Sequence, residues 1–282
     1  DLNFESGDGS TGITDGTFSI ENTFPEPVRA IHYVSTDVTV DTYIGNVAGT
    51  YNLQQGQIVL SMRADDKADF LVPTLASGTL TVNNTDLLVY TPSTGLYEML
   101  LEDAIFKDDN VTPANIHAIS IAEQSMNIGA DTLITAGTYI LASSDPLLHG
   151  NISTYTMASG RQDLLLGANF LSDSGEQVQG LHIVNASTTL NGVVLNQGTI
   201  LATITSNNNP TNGTVDELNT IGTGTTVLAN QIDIVALTIN QTMQDTTPVT
   251  NVDAGIFFDG SDIGLVIDDA TLPGEVNGFT LL

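Results

Sequence analysis

"AIHYV", residues 30–34, returns in altered form as "NIHAI" (115–119) and "GLHIV" (180–184), each time with a histidine behind an apolar residue. Downstream of each comes a glycine-led run: "GQIVL" (56–60), "GTYIL" (137–141) and "GTILA" (198–202). An aspartate-led run follows: "TDLLVY" (85–90), "QDLLLG" (162–167) and "IDIVAL" (232–237). The series closes on "AIFKD" (104–108), "ANFLSD" (168–173) and "GIFFD" (255–259). Short runs rich in Val, Ile, Thr and aromatic residues, bounded by Gly, Asn, Asp, Ser or Pro, are strand signals. Their recurrence in the same order marks a repeat of four strands, a to d. The histidines lie 85 and 65 residues apart, so the loops differ in length between copies. "VNGFTLL" (276–282) resembles the first strand of a fourth unit, with Thr280 at the histidine position.

The expected fold class is therefore all-β: degenerate four-strand repeats forming β-sandwich or propeller-like domains, with very little helix. One short helical turn is expected within 210–222, with Asp216 and Glu217 near its start. The expected organisation is an N-terminal strand arm over 1–24, a first repeat over 25–114, and the second and third repeats over 115–282.

Composition narrows the function. Thirty-three acids face five bases, and no Lys or Arg follows Arg161. Such a surface cannot neutralise phosphates, which argues against nucleic acid as a partner. Charged residues make up only 13% of the chain, about half the usual share, so hydroxyl and amide side chains must cover much of the exterior. Cysteine is absent, which removes disulfide and thiolate chemistry. Residue 1 is Asp, which suggests an export signal already removed and an extracellular, cell-surface location. No apolar run approaches the roughly 18 residues of a membrane span.

The run ending "GIFFDGSD" (255–262) invites two readings. In the first, Asp259-Gly260-Ser261-Asp262 is turn punctuation, with Asp and Ser capping their own backbone and Gly accepting positive φ. In the second, Asp259, Asp262, Asp268 and Asp269 offer the hard oxygen ligands of a Ca²⁺ site. Sequons at Asn83, Asn110, Asn151, Asn185, Asn212 and Asn240 are candidate glycosylation sites.

Catalytic signals are thin. His32, His117 and His182 are assigned to one strand position of the repeat, which favours a structural role, and no short-spaced histidine pair forms a zinc motif. "SDSGE" (172–176) holds the single Asp-Ser-Gly, whereas aspartic-protease chemistry needs two carboxylates sharing a proton. No phosphate loop, nucleophile elbow or dinucleotide fingerprint is present. The chain reads as a non-enzyme.

Two resemblances concern the cell exterior. "GIFFDGSDIGL" (255–265) and "VNGFTLL" (276–282), with "SDSGEQVQGLHIV" (172–184), resemble a repeat of large secreted bacterial surface proteins. "VRAIHYVSTDVTVDTYI" (28–44) resembles the start of a β-sandwich domain of bacterial cell-surface proteins. Both imply an extracellular bacterial setting and neither implies catalysis.

At the N-terminus, "LNFES" (2–6) precedes a Gly-rich hinge and a second alternating run, "GTFSIENTF" (16–24). Leu2, Phe4, Phe18 and Ile20 are the apolar positions of a candidate donor strand, which would complete a sheet of a neighbouring copy. An ordinary edge strand folded on its own domain is the alternative. The leading expectation is thus a structural subunit of an extracellular bacterial filament or surface matrix, a homopolymer joined head-to-tail by strand complementation. The rival expectations are a Ca²⁺-assisted adhesin that binds glycans and a secreted carbohydrate-active enzyme.

Overall fold

A computed structural model describes residues 28–62, 70–74, 78–83, 85–102, 116–128, 132–143, 150–167, 171, 177–190, 193–205, 216–219, 226–229, 234–239 and 252–258. These residues are all-β, in several antiparallel sheets, with no helix and no closed barrel or propeller among them. No described helix is long and apolar enough to cross a membrane.

The first sheet contains β1 (Val28–Tyr33), β2 (Val38–Ile44), β3 (Val47–Leu53), β4 (Ile58–Met62), β5 (Phe70–Thr74), β6 (Gly78–Val82), β7 (Leu87–Thr91) and β8 (Leu96–Leu101). Its order is β1-β4-β7-β8-β2-β3, with β5 pairing β6 and β8 off that path. Next come β9 (Ile116–Ile121), β10 (Met126–Ile128), β11 (Thr132–Ile134), β12 (Tyr139–Ser143), β13 (Ile152–Thr156) and β14 (Gly160–Leu165). Here β9-β12-β13-β14 form one sheet and β10-β11 a separate hairpin. The last group is β15 (Gln177–Ile183), β16 (Thr188–Leu190), β17 (Val193–Leu195), β18 (Ile200–Thr205), β19 (Asp216–Asn219), β20 (Thr226–Ala229), β21 (Ile234–Ile239) and β22 (Val252–Phe258). The order β15-β18-β21-β22 again makes a sheet, beside the hairpins β16-β17 and β19-β20.

The same antiparallel meander therefore occurs three times: β1-β4-β7-β8, β9-β12-β13-β14 and β15-β18-β21-β22. A two-stranded hairpin separates its first and second strands in every case. The first and second strands match expectation. The third and fourth do not match throughout. "QDLLLG" (162–167), expected as a third strand, lies largely in β14, the fourth, and the third is β13, "ISTYT". In the first sheet the fourth position is filled by β8, "LYEMLL". Both fourth strands follow the third through a tight turn with glycine at positive φ, Gly95 (70°) and Gly160 (65°), so no long connection separates them. The helical turn expected within 210–222 is also corrected, since Asp216–Asn219 is strand, paired with Thr226–Ala229.

The sheets pack face to face through alternation of side chains along each strand. In the middle sheet, Ile119, Ile121, Tyr139 and Leu141 join Ala30, Val34, Val59 and Val89 of the first sheet in one apolar cluster. Their neighbours Ala118, Ala122, Ile140 and Ala142 join Leu181, Ile183, Ile200 and Ala202 of the third. Being covered on both faces explains why β9 is buried at every residue. The outer face of the first sheet is closed by Val72 and Val82 of the β5–β6 hairpin. One buried cluster thus holds residues on both sides of position 114.

Candidate functional site: the junction of the three leading strands

Strands β1, β9 and β15 lie against one another, and the backbone fixes which residues correspond. The N–H of Val34, Ala122 and Val184 donates to the carbonyl of Gln57, Thr138 and Thr199 at 2.9, 3.0 and 2.9 Å. Their carbonyls accept from Gly56, Gly137 and Gly198 at 2.9, 2.8 and 2.9 Å. Each glycine is the third residue of a reverse turn, with φ of 90°, 87° and 85°, the region a type II turn reserves for glycine. The free amide inside each turn is capped by a side chain three positions beyond Val34, Ala122 or Val184. Asp37 Oδ1 accepts from Gln55 at 2.7 Å, Ser125 Oγ from Ala136 at 3.0 Å, and Ser187 Oγ from Gln197 at 2.9 Å.

This frame aligns His32 with Ser120 and His182, whose partners across the sheet are Val59, Ile140 and Leu201. The assignment of His117 to that position is corrected: it lies three residues upstream of Ser120 on β9, where it is buried. One step beyond the anchors, Ser35, Glu123 and Asn185 correspond.

These two layers form a polar cluster where the sheets meet. Ser35 donates its backbone N–H to Glu123 Oε1 at 2.7 Å and its hydroxyl to Glu123 Oε2. His32 Nε2 stands 3.2 Å from Glu123 Oε1, and its Nδ1 lies 3.4 Å from Ser120 Oγ. Ser120 Oγ accepts from the Ile183 N–H at 3.0 Å. The Glu123 N–H donates to Asn185 Oδ1 at 2.8 Å, and Asn185 Nδ2 to the Ile121 carbonyl at 3.2 Å. The rings of His32 and His182 stack with centroids 6.5 Å apart.

Electrostatics follows from burial. Burial alone would raise the Glu123 carboxyl, but the contacts with His32 and Ser35 outweigh it and hold the pKa below the usual glutamate value. The imidazole of His182 is pushed down to about 3, first by burial and then by His32, against an opposing pull from Glu123. His182 is therefore neutral at physiological pH.

Ser120, His32 and Glu123 have the residue types of a nucleophile, base and acid. The geometry is that of a cross-link instead. Ser120 is wholly buried and its oxygen is occupied by Ile183, while nucleophilic catalysis needs a substrate carbonyl within reach of that oxygen. The chemistry open to solvent lies beside the cluster, in a cavity of about 430 Å³ lined by Ser35, Glu123, Gln124, His182, Asn185 and Thr188, among others.

The sites expected from sequence fall differently. Asp259, Asp262, Asp268, Asp269, Leu2, Phe4, Phe18 and Ile20 lie outside the described residues, as do Asn110, Asn212 and Asn240. Among the described residues no cluster of three or more His, Asp or Glu could hold a metal. Asn83 Oδ1 accepts from the Thr85 N–H at 2.9 Å, Asn151 Oδ1 from Gly167 at 2.7 Å, and Asn185 is tied to β9. Glu123, Ser35 and Ser120 were not singled out from sequence. The signal that would have found them is the glycine turn, from which the register counts back to each. No protein-family model matches the chain, and no curated protein matches it.

Proposed function

We propose that this chain is a structural subunit of an extracellular bacterial filament or surface matrix, built from degenerate four-strand repeats arranged like the blades of an open, propeller-like fan. Copies join through main-chain strand pairing. The carrying observation is β3. It ends the strand order of the first sheet, and five of its seven residues are exposed, with Val47 at 67%.

Natural sheets protect such an edge with charge, proline, a bulge or a cover. The sequence of β3, "VAGTYNL", contains neither a charge nor a proline. Its register with β2 is unbroken from Val38↔Leu53 to Ile44↔Val47. Gly45 and Asn46, at φ of 58° and 65°, close the hairpin as a two-residue turn of the primed kind. Counting from that turn, the main-chain groups of Ala48, Thr50 and Asn52 face away from β2. The Asn52 carbonyl accepts from Gln54 Nε2 at 3.3 Å, so the groups open to an added strand among the described residues are those of Ala48 and Thr50. The expected donor, the arm over 1–24, carries Leu2 and Phe4, and Phe18 and Ile20, at the alternate positions of the sequence that such an addition would use. Head-to-tail use of different surfaces on one subunit gives an open polymer where the rotation between copies does not close a ring.

Thr50→Pro tests this reading, because it removes an outward amide while leaving the β2 ladder intact. Sedimentation velocity and negative-stain microscopy of the full chain should show polymers for the parent and monomers for a variant with the same circular dichroism. A parent that stays monomeric at high concentration, or a folded variant that polymerises equally, overturns it.

A further inference from the structure

The three sheets create three corresponding junctions, and among the described residues two are closed. From the first sheet to the second, the backbone N–H of Ser35 is met by the Glu123 carboxylate. From the second to the third, the N–H of Glu123 is met by the Asn185 carboxamide. From the third back to the first, the corresponding pair is the N–H of Asn185 and the side chain of Ser35. Serine is too short to bridge, and its hydroxyl is already turned to Glu123. The Asn185 N–H has no acceptor among the described residues.

The turn glycines report the same asymmetry. A Cβ on Gly137 would come within 2.1 Å of the Thr39 carbonyl oxygen, and one on Gly198 within 2.9 Å of that of Asn127, so both turns press on the preceding hairpin. A Cβ on Gly56 would meet nothing within 4 Å. The cavity of about 430 Å³ fills the space left by the missing closure, since Ser35 and Thr36 line one side and Val184, Asn185 and Thr188 the other.

We propose that this open junction binds a neutral, polyhydroxylated ligand of about one sugar ring. An oxygen of the ligand would take the place that Glu123 Oε1 and Asn185 Oδ1 hold in the closed junctions and accept from the Asn185 N–H. The side chains of Thr36 and Thr188 and the carboxamide oxygen of Gln124, whose Nε2 donates to the Asn185 carbonyl, supply acceptors and donors for hydroxyl groups, while Val184 and Ala186 supply an apolar surface. Charge selects against anions. No Lys or Arg is among the described residues that line the cavity, Glu123 stands in its wall, and the chain carries a formal charge of −28. Among the described residues no group of three or more His, Asp or Glu could hold a metal ion. The volume is within the range of small-molecule sites. This inference is independent of polymer formation.

The test is NMR and calorimetry on the full chain with glucose and N-acetylglucosamine as probes and glucuronate as the anionic control. At least one neutral sugar should shift the Asn185 amide resonance and bind with measurable heat, while glucuronate does neither. Thr188→Trp, which fills the cavity from an exposed position, should weaken binding at least tenfold. The proposal is overturned if neither neutral sugar moves the Asn185 amide, if glucuronate binds as well, or if a folded Thr188→Trp binds unchanged. Should Thr188→Trp fail to fold, the Asn185 resonance of the parent protein decides alone.

Discussion

Ser35 and Glu123 stand 88 residues apart in the chain, yet both oxygens of the Glu123 carboxylate are held by Ser35, one by its backbone and one by its hydroxyl. With His32 3.2 Å from the same carboxylate, this ties the first strand of the first sheet to the first strand of the second. Glu123 is 6% exposed, so its charge depends on these partners. Glu123→Ala leaves the Ser35 N–H without its acceptor and removes the carboxylate beside His32, and should cost about 2–4 kcal/mol in urea unfolding. Glu123→Gln keeps one acceptor oxygen and should cost less. Equal losses for the two variants would show that the carboxylate contributes only its shape.

Acid should weaken the fold through two groups that act in the same direction. The folded-state pKa of Glu123 is depressed, so its contribution is complete above the unfolded glutamate value and is lost as pH falls through the folded one. His182 is likewise depressed, to about 3. Its unfolded form takes up a proton below about 6.5 while the folded form does not. Stability from His182 is therefore complete above that pH and declines toward 3, by up to about 1.4 kcal/mol per pH unit. His182→Gln should flatten the dependence of the melting temperature between pH 6 and pH 4. A parent whose melting temperature is level over that interval contradicts the burial of a neutral imidazole.

Ser120 supplies a third test, through a hydrogen bond between sheets. Its Oγ accepts from the Ile183 N–H at 3.0 Å inside the core. Ser120→Ala strands that amide, and a buried unsatisfied donor costs about 1–3 kcal/mol. Amide hydrogen exchange at Ile183 should accelerate in the variant. Unaltered protection at Ile183 would mean that this bond does not hold the third sheet to the second.

The strands and turns were legible in the sequence because they rest on local rules. The glycines of "GQIVL", "GTYIL" and "GTILA" mark a positive-φ turn, and all three second strands, β4, β12 and β18, follow them. The alignment of His117 failed for a physical reason. Residue identity was matched, whereas the fold conserves the hydrogen-bond register, which places Ser120 beside His32 and His182. Ser35, Glu123 and Asn185 illustrate the same limit. A hydroxyl, a carboxylate and a carboxamide each offer an oxygen acceptor, so one structural role is filled by three residue types with no common letter. The third strands β7 and β21 were legible as "TDLLVY" and "IDIVAL", whereas that of the middle sheet, "ISTYT", was not, because its alternation is polar and weak and its place is set by pairing with β12 and β14.

The glycines of the three turns separate the cost of a backbone conformation from the cost of a junction. Gly56 and Gly137 have nearly the same φ, 90° and 87°, so an alanine at either carries the same strain of about 1–3 kcal/mol. They differ in what surrounds them. At Gly137 the new methyl group would drive into the Thr39 carbonyl oxygen, whereas at Gly56 it would enter open space. Gly137→Ala should therefore be the more destabilising by at least about 1–2 kcal/mol, since backbone on both sides must shift to relieve the overlap. Gly198→Ala, whose methyl would approach the Asn127 carbonyl oxygen at 2.9 Å, should fall between them. Chemical denaturation of the three variants gives the order directly. An equal loss at Gly56 and Gly137 would mean that the first turn is as closely packed in solution as the second, and that the third junction is closed.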